Sequence, residues 1–162
     1  MEKKYILTNQ TKTIVVDGKE IVLHRIQLVK SLLPKHLYPD GSIKFLPPDY
    51  ELPKATFGGY VESEENLSQE GNCWIYGPSA CVYGNARVLD NAMIRGLSQI
   101  SGDAVVCGES DVGDHSILTT GTYKDVIVSR NNVSPRKSFR YYASSEIDPE
   151  ISKWLYQKLH LL

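Results

Sequence analysis

Few side chains in this 162-residue sequence are suited to catalysis. The four histidines are His24, His36, His115 and His160. Histidine is the side chain best placed to move protons near neutral pH. His115 stands in Val112-Gly113-Asp114-His115-Ser116, with Asp114 adjoining it. That pair suggests a general base with an acidic neighbour. Side chains adjacent in sequence orient each other poorly, however, and the plainer reading is a surface turn histidine. A catalytic zinc held by three histidines would need two more in the same stretch. Cys73, Cys81 and Cys107 show no ligand spacing and no CxxC, so neither a zinc site nor a disulfide framework is expected. A second group is basic and aromatic. Residues 129–142, SRNNVSPRKSFRYY, hold Arg130, Arg136, Lys137 and Arg140 beside Phe139, Tyr141 and Tyr142, with no acid among them. Charge and stacking of that kind could meet a nucleic acid or an acidic partner; the plainer reading is a solvated linker. No phosphate-binding glycine loop, nucleophile elbow or paired carboxylates stand out.

The elements that would position these residues are written in a repeat of six. An aliphatic residue recurs at Val82, Val88, Ile94, Ile100, Val106, Val112 and Leu118. Four residues after each comes a small one, expected to point inward with the aliphatic residue: Ala86, Ala92, Ser98, Ala104, Ser110, Ser116 and Thr122. Two residues after each, Gly or Asp dominates, with Thr120 the exception. A helix would space its apolar residues by three and four, and a flat strand by two. A period of six with a turn former inside it describes a short strand, a corner and another short strand. Glycine accepts the positive φ of such corners, and Asp can hydrogen-bond its own backbone there. Three corners close a triangular coil of about 18 residues that stacks on the next through strand pairing. Val82, Ile100 and Leu118 should then share one interior column, Val88 and Val106 a second, and Ile94 and Val112 a third. Outside, the second face carries Arg87, Leu89, Val105 and Cys107 and is the most apolar, so it should need a cover.

The register loosens upstream. Ile75 to Val82 is a seven-residue step, which places a one-residue insertion at Gly77-Pro78-Ser79. The segment from Gly58-Gly59-Tyr60-Val61 through Leu67-Ser68-Gln69 to Cys73-Trp74-Ile75-Tyr76 is the most distinctive part of the chain. Together with the Gly-Asn-Ala hexads it resembles the entry segment of the YdcK-like β-solenoid repeat proteins, over roughly residues 58–122. The hexads resemble those of left-handed parallel β-helices. The resemblance implies the left hand, which the spacing does not show. It also implies a bacterial and phage-associated setting, and it carries no settled reaction, so it speaks to fold rather than function.

The expected fold class is mainly β: a short left-handed parallel β-helix with an N-terminal antiparallel hairpin or meander and a C-terminal α-helix. Residues 1–30 read as antiparallel strands around an Asp17-Gly18 turn. Residues 31–57 hold Pro34, Pro39, Pro47, Pro48 and Pro53 and read as a capping loop over the open first coil. Residues 58–128 are the solenoid, with Val126-Ile127-Val128 a possible last strand, and 129–145 a basic-aromatic linker. Residues 146–162 read as an amphipathic helix: Asp148 caps it, Pro149 opens it, and Ile151, Trp154, Leu155, Leu159 and Leu162 form one stripe.

Composition narrows the function classes. Eighteen Lys and Arg against nineteen Asp and Glu give a net charge of −1, unlike a dedicated nucleic-acid binder. No apolar run approaches the ~20 residues of a membrane span. MEKKYILTNQTK is not a secretory signal. A cytoplasmic setting follows as the default.

The functional expectation is a non-enzymatic protein-interaction module without cofactor or metal. A phage-encoded inhibitor of a host defence factor is one instance, and a homo-oligomer is a further partner class. The candidate contact residues are Leu89, Val105, Arg130, Arg136, Lys137, Phe139, Arg140, Tyr141 and Trp154. Two alternatives stand beside it. One is a hexapeptide-repeat acyltransferase that uses acetyl-coenzyme A with His115 as base. The other is nucleic-acid contact through the basic linker. Against the first, no long loop interrupts the hexads, and Arg87 and Arg95 lie on different faces.

Overall fold

A computed structural model describes residues 2–32, 35–37, 43–45 and 51–135. The chain opens with β1 (Tyr5–Val16) and β2 (Lys19–Leu28), an antiparallel hairpin closed by Asp17 and Gly18 at φ 50° and 79°. Two consecutive positive φ values make the tight turn whose twist matches that of paired strands, which is why Asp-Gly marks it. Residues 31–57 contain a short antiparallel pair, β3 (Lys35–Leu37) and β4 (Ile43–Phe45), where the sequence suggested only a loop. Leu32 and Leu52 exchange backbone hydrogen bonds of 2.8 Å, and Leu32 is buried in the main core.

Four stacked coils follow. The first runs from β5 (Phe57–Val61) past Leu67 to β6 (Trp74–Ile75). The second holds β7 (Cys81–Val82), β8 (Arg87–Val88) and β9 (Met93–Ile94). The third holds β10 (Gln99–Ile100), β11 (Val105–Cys107) and β12 (Asp111–Gly113). The fourth holds β13 (Ile117–Leu118), β14 (Thr122–Lys124) and β15 (Val126–Ser129). Parallel pairing joins like strands into three sheets: β5-β7-β10-β13, β8-β11-β14 and β6-β9-β12-β15. The interior columns are those of the hexad reading, since Val82, Ile100 and Leu118 pair in register, as do Val88 with Val106 and Ile94 with Val112. Six of these seven side chains are fully buried and Leu118 nearly so.

The period departs from 18 at both ends, with an offset of 21 between Tyr60 and Cys81 and between Leu67 and Val88. The pairing offset between Trp74 and Met93 is 19, which accommodates the extra residue at Gly77-Pro78-Ser79. At the far end the offset falls from 18 (Gln99 with Ile117) to 17 (Val105 with Thr122) and 16 (Asp111 with Ile127). The shortened coil brings Tyr123 opposite Val106 and leaves Thr122 exposed. The expected inward placement of Thr122 is therefore corrected, whereas Ala86, Ala92, Ser98, Ala104, Ser110 and Ser116 are all fully buried.

The last strand runs on into a hairpin. β16 (Asn132–Pro135) pairs antiparallel with β15 through Arg130 and Asn131 at φ 51° and 66°. The start of the expected linker is thus a strand that extends the third sheet. The C-terminal helix expected over 146–162 lies outside the described residues. At the other end, β2 pairs antiparallel with β5 and extends the first sheet. Leu23 from this hairpin clusters with Tyr60, Cys81 and Tyr83, with Ile14, Val16 and Ile21 packed against them. The hairpin thus covers the outer face that carries Cys81 and Tyr83, although the sequence pointed to the second face as the one needing cover.

Candidate functional site

Coil stacking brings His115 and Arg130 to neighbouring corners. Asp114 has φ 58°, so the chain turns just before His115. The β15–β16 turn docks on this corner through side chains. Asn131 Oδ1 accepts the Ile117 N–H at 2.6 Å, and the Asn131 N–H donates to Ser116 Oγ at 3.3 Å. Ser116 Oγ donates to Gly113 O at 2.8 Å, and Ser129 Oγ donates to the Asp114 carboxylate. The Leu97 N–H donates to Asp114 O at 2.8 Å, which sets Leu97 one coil away. His115 and Arg130 are exposed at this corner, as are Leu97 (46%) one coil away and Ile117 (57%) two residues on. No sequence signal joined His115 to Arg130, because their proximity depends on the shortened fourth coil.

The chemistry available to His115 follows from this geometry. A histidine base works best when a second group fixes its tautomer and ring orientation. Here the Asp114 carboxylate is engaged by Ser129. Among the described residues no side chain holds the imidazole. What the corner offers is an exposed imidazole on a turn against which the exposed Arg130–Asn131 turn docks.

Leu89 and Val105 lie elsewhere, half-buried on the outside of the β8-β11-β14 sheet, with Arg87 exposed beside them. Cys107, the outward cysteine of this face, is 9% exposed. Burial pushes its thiol above the ordinary range, and the carboxylates of Asp90 and Asp125 add to that against an opposing Lys124. Arg136, Lys137, Phe139, Arg140, Tyr141 and Trp154 lie outside the described residues. The structure therefore separates the candidates into a corner, His115 with Arg130, and a face, Leu89 with Val105.

Two polar pairs escaped the sequence reading. Arg95 Nε and Nη2 donate to the two carboxylate oxygens of Asp111 at 2.9 and 2.7 Å. Asp111 raises the Arg95 guanidinium above its usual range despite partial burial. This fork-to-fork geometry is the strong form of the ion pair, and Asp111 is 3% exposed. Their shared face was legible, since both stand beside an inward column residue, but the pairing was not. The other pair is Lys4 with Cys73. Both are buried, and Lys4 Nζ lies 3.4 Å from Cys73 Sγ.

Among the described residues no group of three or more His, Cys, Asp or Glu is placed to hold a metal ion, and no helix is long and apolar enough to cross a membrane.

Parallel ladders, six-residue faces and a bore of aliphatic side chains define a short β-solenoid. Over 48 residues, 30% of this chain, the sequence is 44% identical to a protein of Escherichia coli (strain K12) described as "Uncharacterized acetyltransferase YdcK". The match spans 15% of that protein's length. No protein-family model matches the chain.

Proposed function

We propose that the protein is a non-enzymatic binding scaffold whose rigid solenoid presents side chains to a protein partner. The single observation that carries this reading is the state of the His115 corner. The chemistry-bearing residue is exposed, no described side chain holds its ring, and the adjacent carboxylate accepts from Ser129 through one oxygen. Exposed Leu97 and Ile117 with Arg130 make a mixed apolar and cationic contact, the composition that protein interfaces favour at their centres. Backbone held in ladders on three sides loses little freedom on binding. Leu89 and Val105 extend the contact surface on the second face. The left hand of the coil, residence in the cytoplasm, self-association, and a phage-encoded inhibitor of a host factor are narrower forms of the same proposal; the left hand and phage setting rest on the family resemblance alone.

The acyl-transfer reading is supported by the printed name of the matched protein. Titration calorimetry with acetyl-coenzyme A separates the two. Micromolar binding that disappears in His115→Ala would favour the enzyme reading over the scaffold one. If the scaffold reading is right, acetyl-coenzyme A gives no heat. A partner captured from the native host by the wild type is then lost by a Leu97→Asp/Ile117→Asp variant of unchanged thermal midpoint. Nucleic-acid contact predicts a salt-dependent gel shift abolished by replacing Arg136, Lys137 and Arg140 with Ala.

A further inference from the structure

We propose that Lys4 and Cys73 form a covalent sulfenamide cross-link under hydrogen peroxide, locking the first strand onto the first coil. The two side chains are 1% and 0% exposed. Lys4 Nζ donates to Cys73 O at 2.8 Å and lies 3.4 Å from Gly71 O. Lys4 Nζ also donates to Cys73 Sγ at 3.4 Å, so nitrogen and sulfur are already in direct contact in the folded chain. The sulfur is in turn surrounded by the carbonyls of Ser68, Glu70 and Val88 at 3.6 to 3.7 Å. These suit a thiol, which can donate to one of them, better than a thiolate.

Titration behaviour agrees with that geometry. Desolvation pulls the Lys4 amine below the ordinary lysine range and pushes the Cys73 thiol up, partly offset by their mutual attraction. Burial therefore enlarges the neutral, nucleophilic fraction of the amine relative to an exposed lysine and keeps the sulfur as thiol. Such a thiol reacts slowly with oxidants. Local opening of the segment that carries Lys4 is the route by which peroxide reaches the sulfur.

The chemistry balances in two steps. Hydrogen peroxide transfers one oxygen to the Cys73 thiol, giving sulfenic acid and one water; sulfur is oxidised by two electrons and peroxide is reduced. The Lys4 amine then attacks sulfur, the S–N bond forms, the S–O bond breaks, and the departing hydroxide takes the amine proton as a second water. Condensation of a sulfenic acid with nitrogen is established cysteine chemistry and is reversed by thiols. Neither Cys81 nor Cys107 has an amine in hydrogen-bond contact among the described residues, which makes them internal controls.

The test uses the full chain treated with hydrogen peroxide, digested and analysed by mass spectrometry. The expected product joins the Lys4 and Cys73 peptides with a mass two hydrogens below their sum, and dithiothreitol releases it. The thermal midpoint rises on treatment and returns on reduction, because the link closes a loop 69 residues apart in sequence. The product is absent in Lys4→Met. It is also absent in Cys73→Ala, which should fold because Ala92 occupies the equivalent place one coil on. Cys73 found as sulfinic acid on an unlinked peptide, or a midpoint unmoved by complete oxidation of Cys73, overturns the proposal.

Discussion

In the second and third coils, Val82, Val88, Ile94, Ile100, Val106 and Val112 fill the bore, and backbone ladders do the rest. The first coil also contributes Val61, Leu67 and Ile75, and it is further secured by large side chains that reach its backbone from β1 and from within the coil. Tyr5 reaches in from β1, donates its hydroxyl to Leu67 O at 2.5 Å, and meets Trp74 edge to face at 6.2 Å. Gln69 accepts the N–H groups of Lys4 and Tyr5 and donates to Tyr5 O. Asn66 accepts from Glu62 and Ser63 and donates to Gly84 O and Ala86 O. The difference lies in what each coil stacks on. An inner coil has a neighbour on both sides to complete its ladders. The first coil has a coil on one side only; β2 pairs with β5 along one sheet, and Tyr5 and Gln69 meet backbone groups elsewhere.

Substitutions should separate these two modes of support. The largest effect is expected from Val106→Asp, which puts a carboxylate into a fully buried column of the third coil. Leaving it unpaired there should cost at least about 4 kcal/mol, read by chemical denaturation; unchanged stability would contradict the inward column. Next comes Gly58→Ala in the first coil. A methyl there would sit 2.6 Å from Ile75 O, 2.7 Å from Trp74 Cζ2 and 2.8 Å from Ile26 Cγ1. Two of these neighbours are core side chains and one is backbone, so relaxation is limited and the loss should be about 3 kcal/mol.

Asn66→Ala should destabilise by about 2 kcal/mol through orphaned backbone groups. Ala92→Ser, in an inner small-residue position, should change stability by less, because Ser110 already occupies the equivalent place one coil on. Equal losses would erase the distinction between polar and apolar support.

The smallest effect is a slope with pH. Burial lowers the Lys4 amine in the folded state, with Cys73 raising it and Lys30 lowering it further. Between that lowered value and the unfolded value of about 10.4, only the unfolded chain holds the proton. Wild-type stability relative to Lys4→Met should therefore rise with pH through this window and level off above it. At pH values below the folded-state value both states hold the proton and the slope vanishes. A falling difference would mean that the folded protein prefers the ammonium.

The hexads were readable because each column repeats one physical demand, an aliphatic side chain facing a bore of constant width. Seven aliphatic positions state it, and all seven face inward. The Asp17-Gly18 turn was readable for a similar reason: a two-residue hairpin demands positive φ at both positions. Thr122 was misplaced because a repeat predicts its own continuation and carries no signal for a shortened final coil. The candidate site was legible only as separate residues. His115, Arg130, Leu89 and Val105 could each be named, but their division into a corner and a face could not.

The one-dimensional pattern settled the period, the corners, the three columns and the N-terminal hairpin, because these depend on side chains a few positions apart repeating one local geometry. Folding in three dimensions settled which face the hairpin covers, that Arg95 meets Asp111, that Lys4 lies against Cys73, and that the Arg130 turn docks beside His115. Each of those depends on a register between segments distant in the chain or on the length of a particular coil. A shift of one residue there turns a side chain to the opposite face of its strand.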